Sequence, residues 1–251
     1  MKKLKTLLLL SMLALVVGGL SSCSSDDDDS PKFNDVTLVA GSSQQIANSD
    51  GINWKSENDL IAEVENGTIK AYRVGEVRVA SDKGSFIVKV TPKYSYYYTE
   101  PYLNFGATIQ SVKKQMKGYS LISEDSESLI YEGVGYTSYY LYNFENSALN
   151  GSLIVTSITH STELSNWTAE RYVYVTKTDD CIGFITPDKK IMVIITPVQI
   201  LGSWYYAIVY EKFEKNGNNA KVNRIPSLIE ESGDNYALKV ESCFNDLRSK
   251  L

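Results

Sequence analysis

The sequence predicts an all-β sandwich of short strands followed by an α+β unit, and three observations predict it. Residues 33–92 alternate apolar and polar side chains in short runs, broken by glycine and asparagine turns, with no stretch of helical period. Residues 93–213 combine the same alternation with two stretches of helical spacing. Between them Pro92 is followed at once by a burst of tyrosines. A chain of 251 residues is long enough for one large or two ordinary domains.

In the first unit Val36, Leu38 and Ala40 alternate before a turn at Gly41-Ser42-Ser43. Ile52 and Trp54 form a second alternating piece. Ala62-Glu63-Val64 and Thr68-Ile69-Lys70-Ala71 flank Asn66-Gly67, a strong two-residue hairpin signal because both positions tolerate positive φ. Gly75 then precedes Val77 and Val79, and Lys83-Gly84 precedes Phe86, Val88 and Val90. This run of short alternating strands is the pattern of a β-sandwich. Gly41, Trp54-Lys55-Ser56-Glu57-Asn58, Ile61-Ala62-Glu63-Val64, Asn66 to Ala71 and Gly75 to Val79 together resemble the bacterial Ig-like group 2 domain over nearly the whole unit. The resemblance implies that Trp54 fills the space between two sheets and that the unit is a spacer or adhesion module without catalytic residues. The unit is short for that family, because only Ala47 to Asn53 separate Ile46 from Trp54. A trimmed strand or loop would leave an edge that needs cover.

The second unit opens on Tyr94, Tyr96, Tyr97, Tyr98 and Tyr102. Two readings fit them. They form an aromatic surface for stacking on sugars or a partner, or they form a linking strand packed between the units, which Pro101 and the alternation favour. Thr108 as N-cap, then Ile109, Val112 and Met116, with Gly118 as a stop, predict a short helix. Strand-like pieces follow at Leu129–Glu132, Thr137–Phe144 and Leu149–Thr156. Ser161–Val175 carries Leu164, Trp167, Arg171 and Val175 on one helical stripe, and Cys181–Thr186, Ile191–Thr196 and Ser203–Phe213 read as strands. Residues 105–158 and 160–213 each span 54 residues, which suggests a tandem repeat of one helix and three strands stacked on an antiparallel sheet. Such a unit resembles the β-lactamase-inhibitor-like helix–sheet repeats of envelope proteins. Residues 214–251 read as a polar linker and a C-terminal helix, in which Leu238, Val240, Phe244 and Leu247 offer apolar contacts.

The N-terminus carries the clearest signal. Lys2, Lys3 and Lys5 precede an apolar run from Leu7 to Leu20. Fourteen residues make a helix of about 21 Å, too short for a bilayer core of about 30 Å but right for the apolar region of a signal peptide. The run ends Leu20-Ser21-Ser22-Cys23, which resembles the lipobox of bacterial lipoproteins. The resemblance implies cleavage between Ser22 and Cys23, lipid on Cys23, and a membrane partner. Residues 23–32 then form an acidic tether, with Asp26 to Asp29 in a block. Ser24 resembles the outer-membrane sorting pattern, and the acidic block resembles a surface-export signal, so the expected location is an outer membrane, facing outward.

Charge and motifs narrow the function. The net charge of −5 becomes −8 once the three lysines of residues 1–22 are gone, so no basic footprint for nucleic acid exists. Of the remaining cysteines, Cys181 and Cys243, the spacing alone does not show that they meet, although an oxidising space would allow a disulfide. The single histidine, His160, has no nucleophile elbow to serve and reads as a polar or capping residue at a helix entrance. Gly133-Val134-Gly135 and Asp179-Asp180 read as turns, and no zinc or dinucleotide motif is present, so no metal, cofactor or catalytic set is expected. The expected function is a non-catalytic surface module that binds a glycan or an envelope protein. The alternative is a structural or inhibitory envelope protein whose helix–sheet unit caps a protein partner.

Overall fold

The computed structural model describes residues 33–213 and 236–251. Ser22, Cys23, the acidic tether and the linker at 214–235 lie outside the described residues. The protein is mostly β-sheet with few helices. None of its described helices is long and apolar enough to cross a membrane.

Seven strands come first: β1 (Val36–Val39), β2 (Ser43–Gln45), β3 (Lys55–Ser56), β4 (Ala62–Glu65), β5 (Thr68–Ala71), β6 (Gly75–Ser81) and β7 (Gly84–Thr91). They form one sheet in the order β1-β7-β6-β3 and a second in the order β2-β5-β4. β1 runs parallel to β7, and the remaining pairs are antiparallel. Asn66 and Gly67, at φ 50° and 71°, close the β4–β5 hairpin in the left-handed geometry that matches strand twist. Trp54 fills the core as expected, edge-on to Phe33 at 4.6 Å and to Phe86 at 5.3 Å. Ile69, Val79 and Val88 are fully buried beside it. Burying side chains of this size contributes about 1.5–3 kcal/mol each, which is what holds such short strands in register.

The rest of the chain folds as α1 (Ile109–Gln115), β8 (Leu121–Glu124), β9 (Ser128–Glu132), β10 (Thr137–Glu145), β11 (Ala148–Ser157), α2 (Ser161–Ala169), β12 (Val173–Lys177), β13 (Ile182–Ile185), β14 (Ile191–Ile200), β15 (Ser203–Lys212) and α3 (Tyr236–Ser249). All eight strands share one sheet, in the order β12-β13-β14-β15-β11-β10-β9-β8. Two four-stranded meanders therefore meet at β11 and β15, with Ile154 opposite Ile208. Each meander follows a helix, so the repeat is one helix and four strands rather than three. The two unexpected strands are the outer ones. β8 has all four residues exposed and lacks the usual alternation. β12 was hidden by Arg171 and Val175, which continue the helical stripe of Leu164 and Trp167. The helix stops instead at Ala169, and the β-branched residues after Tyr172 pair with β13.

The sheet is buried on both faces. Val112 of α1 and Met116 at its C-terminal cap, with Leu164 and Trp167 of α2, pack with Tyr140, Tyr142, Ile154, Ile208 and Tyr210. Thr108 caps α1 by accepting from Ser111 N at 3.3 Å, as its position predicts. On the other face Val240, Phe244 and Leu247 of α3 pack in one cluster with Met192, Ile194 and Val209. Leu238 points outward and is 60% exposed. Cys181 and Cys243 form a disulfide that ties α3 to the β12–β13 turn. Arg248 donates to Glu211 of β15 at 2.8 Å, and Thr176 of β12 donates to Asp246 at 2.9 Å.

Candidate functional site

The tyrosine-rich segment is not a strand. Tyr94 to Tyr97 form a turn, and the chain then runs irregularly to Phe105. Its backbone is held mainly by side chains rather than by a ladder. The Glu170 carboxylate accepts from Lys93 N at 2.8 Å and from Tyr94 N at 3.1 Å. Tyr97 O accepts from Tyr136 N at 3.4 Å, and Tyr140 donates its hydroxyl to Thr99 O at 3.4 Å. Tyr102 N donates to the Tyr142 hydroxyl at 3.3 Å, and Tyr102 O accepts from Ser152 Oγ at 2.7 Å. The linking-strand reading is corrected here: side-chain acceptors at the end of α2 and on the sheet satisfy the amides that a strand would have paired.

Three of the five expected residues come together. Tyr94 and Tyr97 stack with centroids 5.4 Å apart and planes 7° from parallel. Tyr96 meets the Tyr97 ring at 4.3 Å and is 68% exposed. Two residues that sequence reasoning did not group with them extend the row: Tyr136 lies 5.6 Å from Tyr97, and His160 lies 4.2 Å from Tyr136. Tyr94, Tyr97, Tyr136 and His160 are half-buried, so the row presents ring faces and edges to solvent. Tyr98 is different. It is buried, packs on Trp167 at 5.4 Å and shares a hydrogen bond with Thr156 at 3.2 Å. Tyr102 takes its contacts from Tyr142, Ser152 and Asn104 rather than from the row.

The row depends on local geometry. Gly135, at φ 64°, turns the chain between β9 and β10 so that Tyr136 faces Tyr97. A side chain at Gly133 would meet Thr137 O at 2.1 Å, so only glycine closes that turn. His160 stands at the entrance of α2 as expected, but its side chain makes no capping bond, and its ring packs on Tyr136 instead. Each aromatic pair adds about 0.5–1.5 kcal/mol beyond its buried area. Hydrogen bonding to Tyr96, then burial, pushes the Tyr97 hydroxyl up to about 12, so it stays a neutral phenol at physiological pH.

Behind the row lies a polar joint with the first strands. Glu170 pairs with Arg171, both nearly buried, and the Arg171 guanidinium lies 4.6 Å over the Trp167 ring. Val74 N donates to Glu170 O at 2.8 Å, Arg73 Nε to Tyr172 O at 3.1 Å, and Asn58 Nδ2 to Pro187 O at 2.9 Å. Among the described residues no group of three His, Cys, Asp or Glu side chains is placed to hold a metal ion. What the row can do chemically is stack and donate phenolic hydrogen bonds. Compared with protein-family models, curated proteins and solved structures, the chain matches none.

Proposed function

We propose that this protein is a non-catalytic outer-membrane lipoprotein, anchored through Cys23 and facing outward, that binds a glycan or a protein through the aromatic row. The observation that carries the binding reading is the row itself: Tyr94, Tyr96, Tyr97, Tyr136 and His160 in continuous ring contact, with Tyr96 left 68% exposed. Amphipathic rings with fixed orientation supply contact area at low entropic cost, which is why tyrosine recurs at recognition sites. The anchor reading rests on the basic start, the apolar run and Leu20-Ser21-Ser22-Cys23. The Cys181–Cys243 disulfide supports export, because such bonds persist in oxidising compartments.

We read the first seven strands as the Ig-like stalk and the eight-stranded sheet as a separate α+β domain. The stalk reading is supported by the strand order β1-β7-β6-β3 and β2-β5-β4, which corresponds to the two-sheet arrangement of Ig-type sandwiches. The separate cores around Trp54 and around the eight-stranded sheet support two domains. A second reading is favoured by the doubled helix-and-four-strand unit. On the sequence likeness to β-lactamase-inhibitor-like repeats of envelope proteins, such a unit would make the protein a structural or inhibitory cap on a protein partner.

Two experiments test the proposal. Cys23→Ser should move the protein from the membrane fraction to the soluble fraction; retention in the membrane would sink the anchor. Immobilised protein should retain a glycan or envelope protein from outer-membrane extracts, and Tyr96→Ala with Tyr97→Ala should reduce retention at least tenfold. Equal retention by both would remove the row from the binding account.

A further inference from the structure

The two ends of the eight-stranded sheet carry different turns. At one end Asp125-Ser126-Glu127, Glu145-Asn146-Ser147 and Pro187-Asp188-Lys189 are polar or charged apart from Pro187. The first unit reaches this end through Asn58, Arg73 and Val74. At the far end, the segments that finish the adjacent strands β14-β15-β11-β10-β9 contain no Asp, Glu, Lys or Arg: residues 133–138, 157–160 and 198–206. Each exposes an aliphatic side chain instead, Val134, Ile158 and Leu201, the last to 78%. Trp204 is 52% exposed, and because Ser157 pairs with Tyr205, Ile158 comes level with it.

Leu201 breaks two local rules. It stands at φ 48° in a two-residue loop with Gly202, a position that suits Asn or Gly, and it leaves a leucine in water. Backbone cost of this kind persists where function needs the residue. The loops also satisfy polar atoms of their own. Gln199 Nε2 donates to Gly202 O at 3.1 Å, Thr137 N to Val134 O at 3.1 Å, and Gly133 N to Ser138 O at 2.9 Å. Groups already paired in this way cost little to remove from water.

Size, shape and charge indicate what covers these tips. Three strand spacings, about 14 Å, separate the outer two turns, and the row is one loop deep. It offers a few hundred Å² at most, against ~800 Å² on each side of a stable protein interface. A bilayer interface needs no matching shape and takes up Trp and aliphatic side chains. With neutral headgroups it does not repel a chain of net negative charge.

We propose that Val134, Ile158, Leu201 and Trp204 insert into the interfacial layer of a phospholipid bilayer. The second unit then docks on lipid without Cys23 and without the ring contacts of the aromatic row.

The test uses residues 31–251, a compact unit that lacks the apolar leader and Cys23. Trp54 and Trp167 are buried, so quenching by vesicles of brominated phosphatidylcholine reads Trp204. Emission should shift to the blue and be quenched. Co-sedimentation with phosphatidylcholine vesicles should fall at least about tenfold in Leu201→Asn with Trp204→Gln, and about threefold in Leu201→Asn alone, which suits the turn. Trp204→Gln alone suffices if the Leu201 variant fails to fold. No quenching at millimolar lipid, or equal co-sedimentation by the folded double variant, would overturn the proposal. So would binding that requires anionic lipid or disappears in salt, since charge would then carry it. Self-association without vesicles that the double variant abolishes would also overturn it, because a second copy would then cover the tips.

Discussion

The two helix-and-four-strand repeats build the same meander but spend their turns differently. In the first, the β9–β10 turn carries Tyr136 and completes the aromatic row. In the second, the corresponding β13–β14 turn offers Pro187 O to Asn58, and the end of α2 offers Glu170 to the first unit. The second repeat is also the one that α3 covers, through the Cys181–Cys243 disulfide and the Glu211–Arg248 pair. A core of repeated topology thus accommodates different turns and edges, because packing constrains the inward positions most. One repeat holds the molecule together while the other leaves rings free.

The largest effect should come from breaking the joint on the second repeat. Glu170→Ala strands the buried Arg171 and frees the Lys93 and Tyr94 amides, so it should cost about 3–5 kcal/mol in denaturant unfolding. Removing the disulfide should cost less. The bond closes a span of 62 residues, and Cys243→Ser should lower stability by about 2–4 kcal/mol. It should also make α3 the first segment cut in limited proteolysis.

A smaller effect comes from pH. Burial pushes the Glu211 carboxyl up from 4.5 to about 8, even with Arg248 beside it. The native state then holds this proton more tightly than the unfolded chain does. Stability should therefore be full below about 4.5 and fall as pH rises towards 8. Denaturation at pH 5 and pH 8 should show a drop of roughly 1–3 kcal/mol that Glu211→Gln removes. A wild-type protein more stable at pH 8, by an amount the variant abolishes, would contradict the assignment. The smallest effect is expected on the aromatic row beside the first repeat: Tyr96→Ala, at a mostly exposed ring that touches Tyr97, should lower stability by about 0.5–1 kcal/mol in thermal melts.

Much of the fold was legible in the sequence because period and turn chemistry are local. Asn66-Gly67 marked a hairpin, Thr108 a helix start, and Trp54 a core. The outer strands were not legible. β8 has all four side chains exposed at the sheet edge and so no need to alternate, and β12 borrowed its apparent helical stripe from α2. The site was half legible. The cluster at Tyr94 to Tyr98 drew attention by composition, but only the fold could separate buried Tyr98 from exposed Tyr96. Tyr136 and His160 join through register and a glycine turn, across separations of about 40 and 60 residues that no local pattern encodes.

The most direct measurement is retention of outer-membrane glycan or envelope protein by the Tyr96→Ala, Tyr97→Ala chain, read beside its melting temperature. The account predicts at least a tenfold loss of retention, while the melting temperature falls by only about 3–10 °C as the three ring contacts of Tyr97 are lost and the fold is kept. Retention equal to that of the unaltered protein, in a variant that still melts cooperatively, would contradict it.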